Sequence, residues 1–173
     1  MKSLIEIISK KIRTSRIDVQ KEMDNGNYTK VYMILSENGN KINNKDELIK
    51  EMYQRIHSYS ANPKSVDDTL KIELTNLAEE IFRNEIDKNR VEYERFLVRM
   101  AIDCYRIVGE EVGKMGIASI IFSLNKKLKY SALETRLLNE KNHSGAYASN
   151  ATYHRIIEDR EYALEQLGKI VLK

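Results

Sequence analysis

Apolar side chains recur every three or four residues along most of this chain, the spacing that places them on one face of an α-helix. Residues 3–24 open with such a row, made up of Leu4, Ile5, Ile8, Ile12, Val19 and Met23. Asn25-Gly26 follows the row, and this pair suits the left-handed conformation that ends many helices. The pattern therefore predicts a first helix that ends at residue 24.

The next segment, residues 27–44, fits two structures. Its apolar positions follow helical spacing, and they are Tyr28, Val31, Tyr32 and Leu35. The Asn38-Gly39 pair that ends them also suits a tight hairpin turn between two strands. We favour the helix because a strand after Gly39 would be short and polar, but the pattern leaves both structures open.

Four later helix starts carry a capping residue followed three positions on by an acid, a pair that satisfies free amides in the first turn. These pairs are Asn44 with Glu47, Ser65 with Asp68, Asn89 with Glu92, and Ser131 with Glu134. They predict helices over about 45–60, 66–87, 90–113 and 132–142. Residues 66–113 are the spine of the predicted fold, either as a helical hairpin or as one long helix.

The remaining segments complete the helical pattern. Gly113 and Gly116 predict a break before the apolar run 115–124, which is expected to be a buried helix. A loop is expected at 143–150. The last helix has an apolar stripe at Tyr153, Ile156, Ile157, Leu164, Leu167, Ile170 and Val171. Its polar face is expected to carry His154, Arg155, Glu158, Asp159 and Glu161.

Composition agrees with a helical fold. The 173 residues include one proline and seven glycines, fewer than sheet proteins usually need for their turns. We therefore predict an all-α, single-domain bundle over residues 1–173, with about six or seven helices and a long central helix or helical hairpin. Residues 1–60 as a separate helical layer are the alternative.

The chain is expected to be soluble and cytoplasmic. Its one cysteine, Cys104, rules out an internal disulfide and fits a reducing compartment. The first residues show no secretory signal, and no apolar run reaches the length of a membrane span. We expect no membrane partner.

Basic residues are concentrated in two segments, although the net charge is only +3. The candidates for phosphate contacts are Lys10, Lys11, Arg13, Arg16, Lys126, Lys127, Lys129 and Lys141. With ten tyrosines available for stacking, they make a nucleic-acid-binding helical protein one alternative function. The acidic stretch between the two segments is expected to be a solvated face.

Metal and cofactor chemistry is not indicated. The spacing typical of metal ligands is missing among His57, His143, His154 and Cys104. No phosphate-binding loop is present, so we predict neither a metal nor a cofactor. Apolar neighbours at helical spacing predict that Cys104 is a buried core thiol. Asp103, next to it, stands nearly alone among apolar residues.

One pair of residues has the spacing of a known active site. His143 follows Arg136 after six residues, at the end of a short predicted helix. The pair resembles the active-site motif of the HEPN superfamily, small all-α domains that often act as metal-independent ribonucleases. This resemblance implies that the arginine stabilises phosphate charge while the histidine handles the proton of the 2′-hydroxyl. A HEPN-like ribonuclease is therefore a second alternative.

The leading hypothesis is a non-enzymatic interaction or regulatory protein. It follows from a well-patterned chain in which no set of catalytic residues emerges. Amphipathic helices edged with tyrosine often complete their burial against a second subunit, so we expect a homo-oligomer, most simply a homodimer. A different protein partner is also compatible with the pattern.

Overall fold

The computed structural model describes residues 4, 19–38, 42–141 and 145–171, with their side chains except those of residues 38 and 132–150. The helices are α1 (Tyr28–Asn38), α2 (Lys45–Tyr59), α3 (Asp68–Ile81), α4 (Arg95–Val108), α5 (Glu110–Lys141) and α6 (Gly145–Val171). Residues 19–24 are also helical. No strand occurs in these ranges, so the predicted all-α fold is confirmed and residues 28–38 form a helix, not a hairpin.

Helix α4 is the centre of the bundle. It contacts α2, α3, α5 and α6, whereas α1 packs on α2 and α3. Its buried residues are Leu97, Val98, Met100, Ala101, Ile102, Asp103, Cys104, Tyr105 and Ile107. The predicted spine therefore has the form of a hairpin, in which α3 and α4 are joined by a π-helical turn, Phe82–Ile86, and a non-helical segment, residues 87–94.

Two predicted helix starts and one predicted cap differ from the structure. Asp67, not Ser65, caps α3, since its carboxylate accepts a 2.8 Å hydrogen bond from the Leu70 amide. Asn44 precedes α2 as predicted, but in a left-handed conformation and without a side-chain cap. Helix α4 begins at Arg95 instead of residue 90 because tertiary contacts hold residues 87–94 in another conformation.

A buried lysine makes some of the tertiary contacts that keep residues 87–94 out of a helix. The Lys127 ammonium donates hydrogen bonds to the carbonyl oxygens of Lys88 and Arg90, at 2.9 and 2.5 Å. These carbonyls are therefore bonded to α5 and not to amides in a helix of their own segment. Tyr93 also packs against the core, which opposes helical extension of α4 toward residue 90.

The turn between α4 and α5 uses glycine in a different way from the prediction. Helix α4 ends at Gly109, whose positive φ of 65° favours glycine. Gly113 and Gly116 lie inside α5, so the predicted break there is wrong. A β-carbon at residue 113 would collide with the Tyr105 carbonyl oxygen, and one at residue 116 with the Tyr105 ring. Both glycines thus allow α4 and α5 to pack closely.

The last two helices are longer than predicted. Helix α5 continues through Ser131, which is buried, so the separate helix predicted over 132–142 is wrong. The Ser-x-x-Glu pattern lies inside a helix because buried residues on the preceding turn, Lys127 and Leu128, continue its packed face. Helix α6 begins at Gly145, within the predicted loop. No helix in the described part of the chain is long and apolar enough to cross a membrane.

We expect Gly113→Ala to lower the free energy of unfolding by about 1–3 kcal/mol, because the added methyl group overpacks the α4–α5 contact. Gly168→Ala is the matched control, since a β-carbon at this α6 position meets nothing within 4 Å. That change should stabilise the protein by roughly 0.5–1 kcal/mol through higher helix propensity. Urea denaturation of both variants measures the two effects, and equal effects would contradict the packing account.

Candidate functional site

A fully buried carboxylate, Asp103, is the polar centre of the bundle. Its Oδ2 lies 2.8 Å from Nδ1 of His57 on α2, and its Oδ1 accepts a hydrogen bond from the Tyr162 hydroxyl on α6. Because an ionised carboxylate can only accept, this contact is a hydrogen bond when Nδ1 of His57 carries a proton. Asp103 therefore links α2, α4 and α6.

A second fully buried carboxylate, Asp159, fastens α6 to the start of α4. It accepts hydrogen bonds from Nε of Arg95 at 2.9 Å, from Nε of Arg99 at 3.0 Å and from the Tyr93 hydroxyl at 2.7 Å. Three donors compensate much of the cost of burying this charge. The expected position of Asp159 on a solvated face is thus wrong, because the α4 arginines require it inside.

The two carboxylate clusters join through one cation–π contact. The Arg99 guanidinium lies 4.3 Å from the centroid of the Tyr162 ring. Burial raises the pKa of Tyr162, and its hydrogen bond to Asp103 raises it further. Burial likewise raises the pKa of Tyr93, and the charge of Asp159 adds to the effect. Both hydroxyl groups therefore stay protonated and donate to the carboxylates.

His57 is the most exposed member of the Asp103 cluster. Its side chain is 53% exposed, and its ring stacks on Tyr53 with centroids 5.6 Å apart. A catalytic assignment needs a nucleophile or a charged substrate-binding group beside the imidazole ring, and the described contacts of His57 supply neither. Cys104 does not provide one, because it is buried and burial raises its thiol pKa.

The predicted basic residues separate into three groups. Lys126 and Lys129 are exposed on α5. Lys127 is buried, so its expected role on a basic surface is wrong; burial lowers its pKa, and the nearby Arg90 lowers it further. Outside the described residues or side chains lie Lys10, Lys11, Arg13, Arg16, Lys141, Arg136 and His143. The ribonuclease-like pair therefore stays a prediction.

Helix α5 has an exposed row with the alternating three- and four-residue spacing of a coiled-coil seam. Its members are Glu111, Met115, Ala118, Phe122, Asn125 and Lys129, all of them exposed. Met115 is 69% and Phe122 is 62% exposed. The apolar run predicted to be buried is therefore only half buried, with Ile117, Ile120 and Leu124 on the core side.

Helix α6 carries a second row with the same spacing beside the first. Its members are Tyr153, Ile157, Arg160, Leu164, Leu167 and Val171. Leu164 and Val171, predicted on the core stripe, are 49% and 59% exposed, and the other four are half-buried. We call the two rows together the outer face.

The two helices of the outer face run antiparallel. Arg160 donates a 3.3 Å hydrogen bond to the Asn125 side chain, and Ile170 lies beside Gly113 at the opposite end. This register brings Leu164 to the level of Phe122, one turn from that hydrogen bond. Continued along the hairpin, it brings Val171 to the level of Met115. The register therefore predicts one strip of exposed apolar side chains along the hairpin.

Charge is distributed unevenly along the strip. At one end a groove has a basic rim around aromatic and apolar side chains, and it is lined by Phe122, Asn125, Lys126, Leu128, Lys129, Tyr153 and Arg160. The cations of this rim are Lys126, Lys129 and Arg160. Among the described side chains, none of the three has a carboxylate partner. At the other end Glu111 is 82% exposed, and among the described side chains it pairs only with Lys114, at 3.2 Å.

Known proteins do not identify this arrangement. The chain matches no family model, no curated protein and no solved structure in the three comparisons made. Within the described ranges, no three histidine, cysteine or acidic side chains come together as a metal site. Function must therefore be argued from the two carboxylate clusters and the outer face.

Sequence reasoning missed both features, although each left a signal. The isolation of Asp103 among apolar residues marks a buried charge that needs partners. The exposed seam on α5 is visible as a three–four spacing from Glu111 to Lys129, but its members mix apolar with polar types. Neither the isolated Asp103 nor the spacing on α5 indicates which side of its helix packs against the core.

Asp159→Ala is expected to lower the free energy of unfolding by about 2–4 kcal/mol. The value lies below the roughly 3–5 kcal/mol of a fully buried pair because Arg95 and Arg99 retain some solvent contact. Glu158→Ala is the neighbouring control: in the described part of the chain this exposed residue pairs only with Arg95, so its loss should cost at most about 1 kcal/mol. Chemical denaturation that finds equal losses would refute the role of Asp159.

Proposed function

We propose that this protein is a non-enzymatic interaction protein that works as a homo-oligomer, with the outer face of α5 and α6 as its binding surface. The observation that carries the proposal is the set of exposed apolar side chains on these two neighbouring helices. Contiguous apolar patches on a folded protein are uncommon and usually mark a surface that another molecule covers.

The location of the exposed apolar residues supports this proposal. Ten large hydrophobic side chains are exposed in the described part of the chain, and six of them lie on α5 and α6. The six are Val112, Met115, Phe122, Tyr130, Leu164 and Val171, and all but Val112 and Tyr130 belong to the outer face. Single exposed hydrophobic residues need no explanation, but a row with helical seam spacing is typical of helix–helix association.

The chemistry of the interior also favours an interaction role over catalysis. Asp103 and Asp159 have their described hydrogen bonds with groups of the same chain, and these bonds tie helices together. Such clusters hold α6 in one orientation on α4, which is what a rigid binding surface requires. We therefore propose that the buried clusters stabilise the fold and that the outer face binds the partner.

Phe122→Gln is the variant that tests the proposal. We expect sedimentation equilibrium of the native protein to give an association that rises with concentration, and Phe122→Gln to weaken it at least about tenfold. The reason is the loss of one buried aromatic side chain from each subunit, worth about 1.5–3 kcal/mol apiece. The fold of the variant should stay intact because Phe122 is 62% exposed in the single chain.

Ile72→Gln is the matched control for this experiment. Ile72 is 64% exposed, but it lies on α3, away from the outer face. Its replacement should leave association unchanged. A native protein that stays monomeric at every concentration would refute self-association, and an equal loss in both variants would refute the assignment of the surface.

A further inference from the structure

We infer that the partner on the outer face is a second copy of this chain, packed with its α5 antiparallel to the first α5. The inference rests on the proposed function and adds the occupant and its direction. It derives from the order of residues along the exposed seam of α5, which is self-complementary when it is reversed.

Side-chain size is the first form of complementarity. In an antiparallel pair centred near residue 120, Ala118 of each copy faces Phe122 of the other, so a small residue receives a large one. Met115 of each copy then faces Asn125 of the other. A parallel pair would place Phe122 against Phe122 and Ala118 against Ala118, which leaves a gap next to a crowded contact.

Charge is the second form of complementarity. Glu111 and Lys129 each lie nine residues from the centre of this pair, at about 13 Å along the helix axis. The antiparallel arrangement therefore brings Glu111 of each copy to Lys129 of the other, twice per dimer. A parallel arrangement would place Glu111 against Glu111 and Lys129 against Lys129. Of the two arrangements, only the antiparallel one places Lys129 opposite an acidic side chain of the other copy.

The size of the outer face is adequate for such an assembly. The seam from Glu111 to Lys129 covers 18 residue steps, or about 27 Å, and two adjacent helices present a face about 20 Å wide. The projected area is on the order of 500 Å² per copy, and the accessible surface of protruding side chains is larger. This approaches the roughly 800 Å² per partner of a specific interface.

A charge-reversal series tests the direction. Glu111→Lys and Lys129→Glu should each weaken self-association about tenfold, because two attractive contacts per dimer become repulsive. The double variant Glu111→Lys/Lys129→Glu should regain native association. An equimolar mixture of the two single variants should also associate as the native protein does, since each reversed residue then meets its opposite. Sedimentation equilibrium at low salt measures all four samples.

Glu79→Lys is the control, because it reverses the charge of an exposed residue on α3 in the same direction as Glu111→Lys. It should leave self-association unchanged. Dimers that persist unchanged through the whole series would overturn the antiparallel assignment while leaving self-association in place. A monomeric native protein would instead remove the proposed function itself. If Lys129→Glu abolished salt-sensitive binding of single-stranded RNA without affecting the dimer, the basic end would belong to a nucleic acid and the inference would fail.

Discussion

The buried charge of Asp159 sets the rotation of the last helix, and the position of the proposed binding surface follows from that rotation. Asp159 must face Arg95 and Arg99 on α4, since an unpaired carboxylate in the core would cost several kcal/mol. Leu164 lies five residues further on, about 140° around the helix axis, and is therefore directed away from the core. The same rotation exposes Val171. One ion-pair cluster thus decides which apolar residues the molecule presents to solvent.

The packing of α5 on Tyr105 of α4 has the corresponding effect on the orientation of α5. Close packing of Gly113 and Gly116 on Tyr105 places one side of α5 against α4 and leaves the opposite side free. Helix α6 then covers a flank of α5, with Arg160 bonded to Asn125. The result is a two-helix hairpin whose inner side completes the core and whose outer face is apolar with charged ends. An assembly role follows from this division more directly than a catalytic one.

Much of the fold was predictable because helical periodicity is a local property. The apolar spacing favoured a helix at α1, the capping pairs predicted helices at α2, α3 and α4, and the flanking residues placed Cys104 in the core. Whether α3 and α4 form a hairpin or one long helix was left open by the sequence. The errors arose where distant groups decide a local conformation. Lys127 holds residues 88 and 90 away from a helix, and the α4 arginines draw Asp159 inside. Binary patterning treats such charged residues as solvated, so it could find neither the clusters nor the outer face.

The most direct measurement of the central claim is disulfide trapping between Glu111→Cys protein and Lys129→Cys protein, mixed in equal amounts under mild oxidation. The native Cys104 is buried and should not compete. An antiparallel pairing of outer faces predicts that the mixed dimer linking positions 111 and 129 forms faster than either homodimer. Equal rates for all three products, or rates no higher than for an exposed cysteine placed at Glu79, would contradict the account.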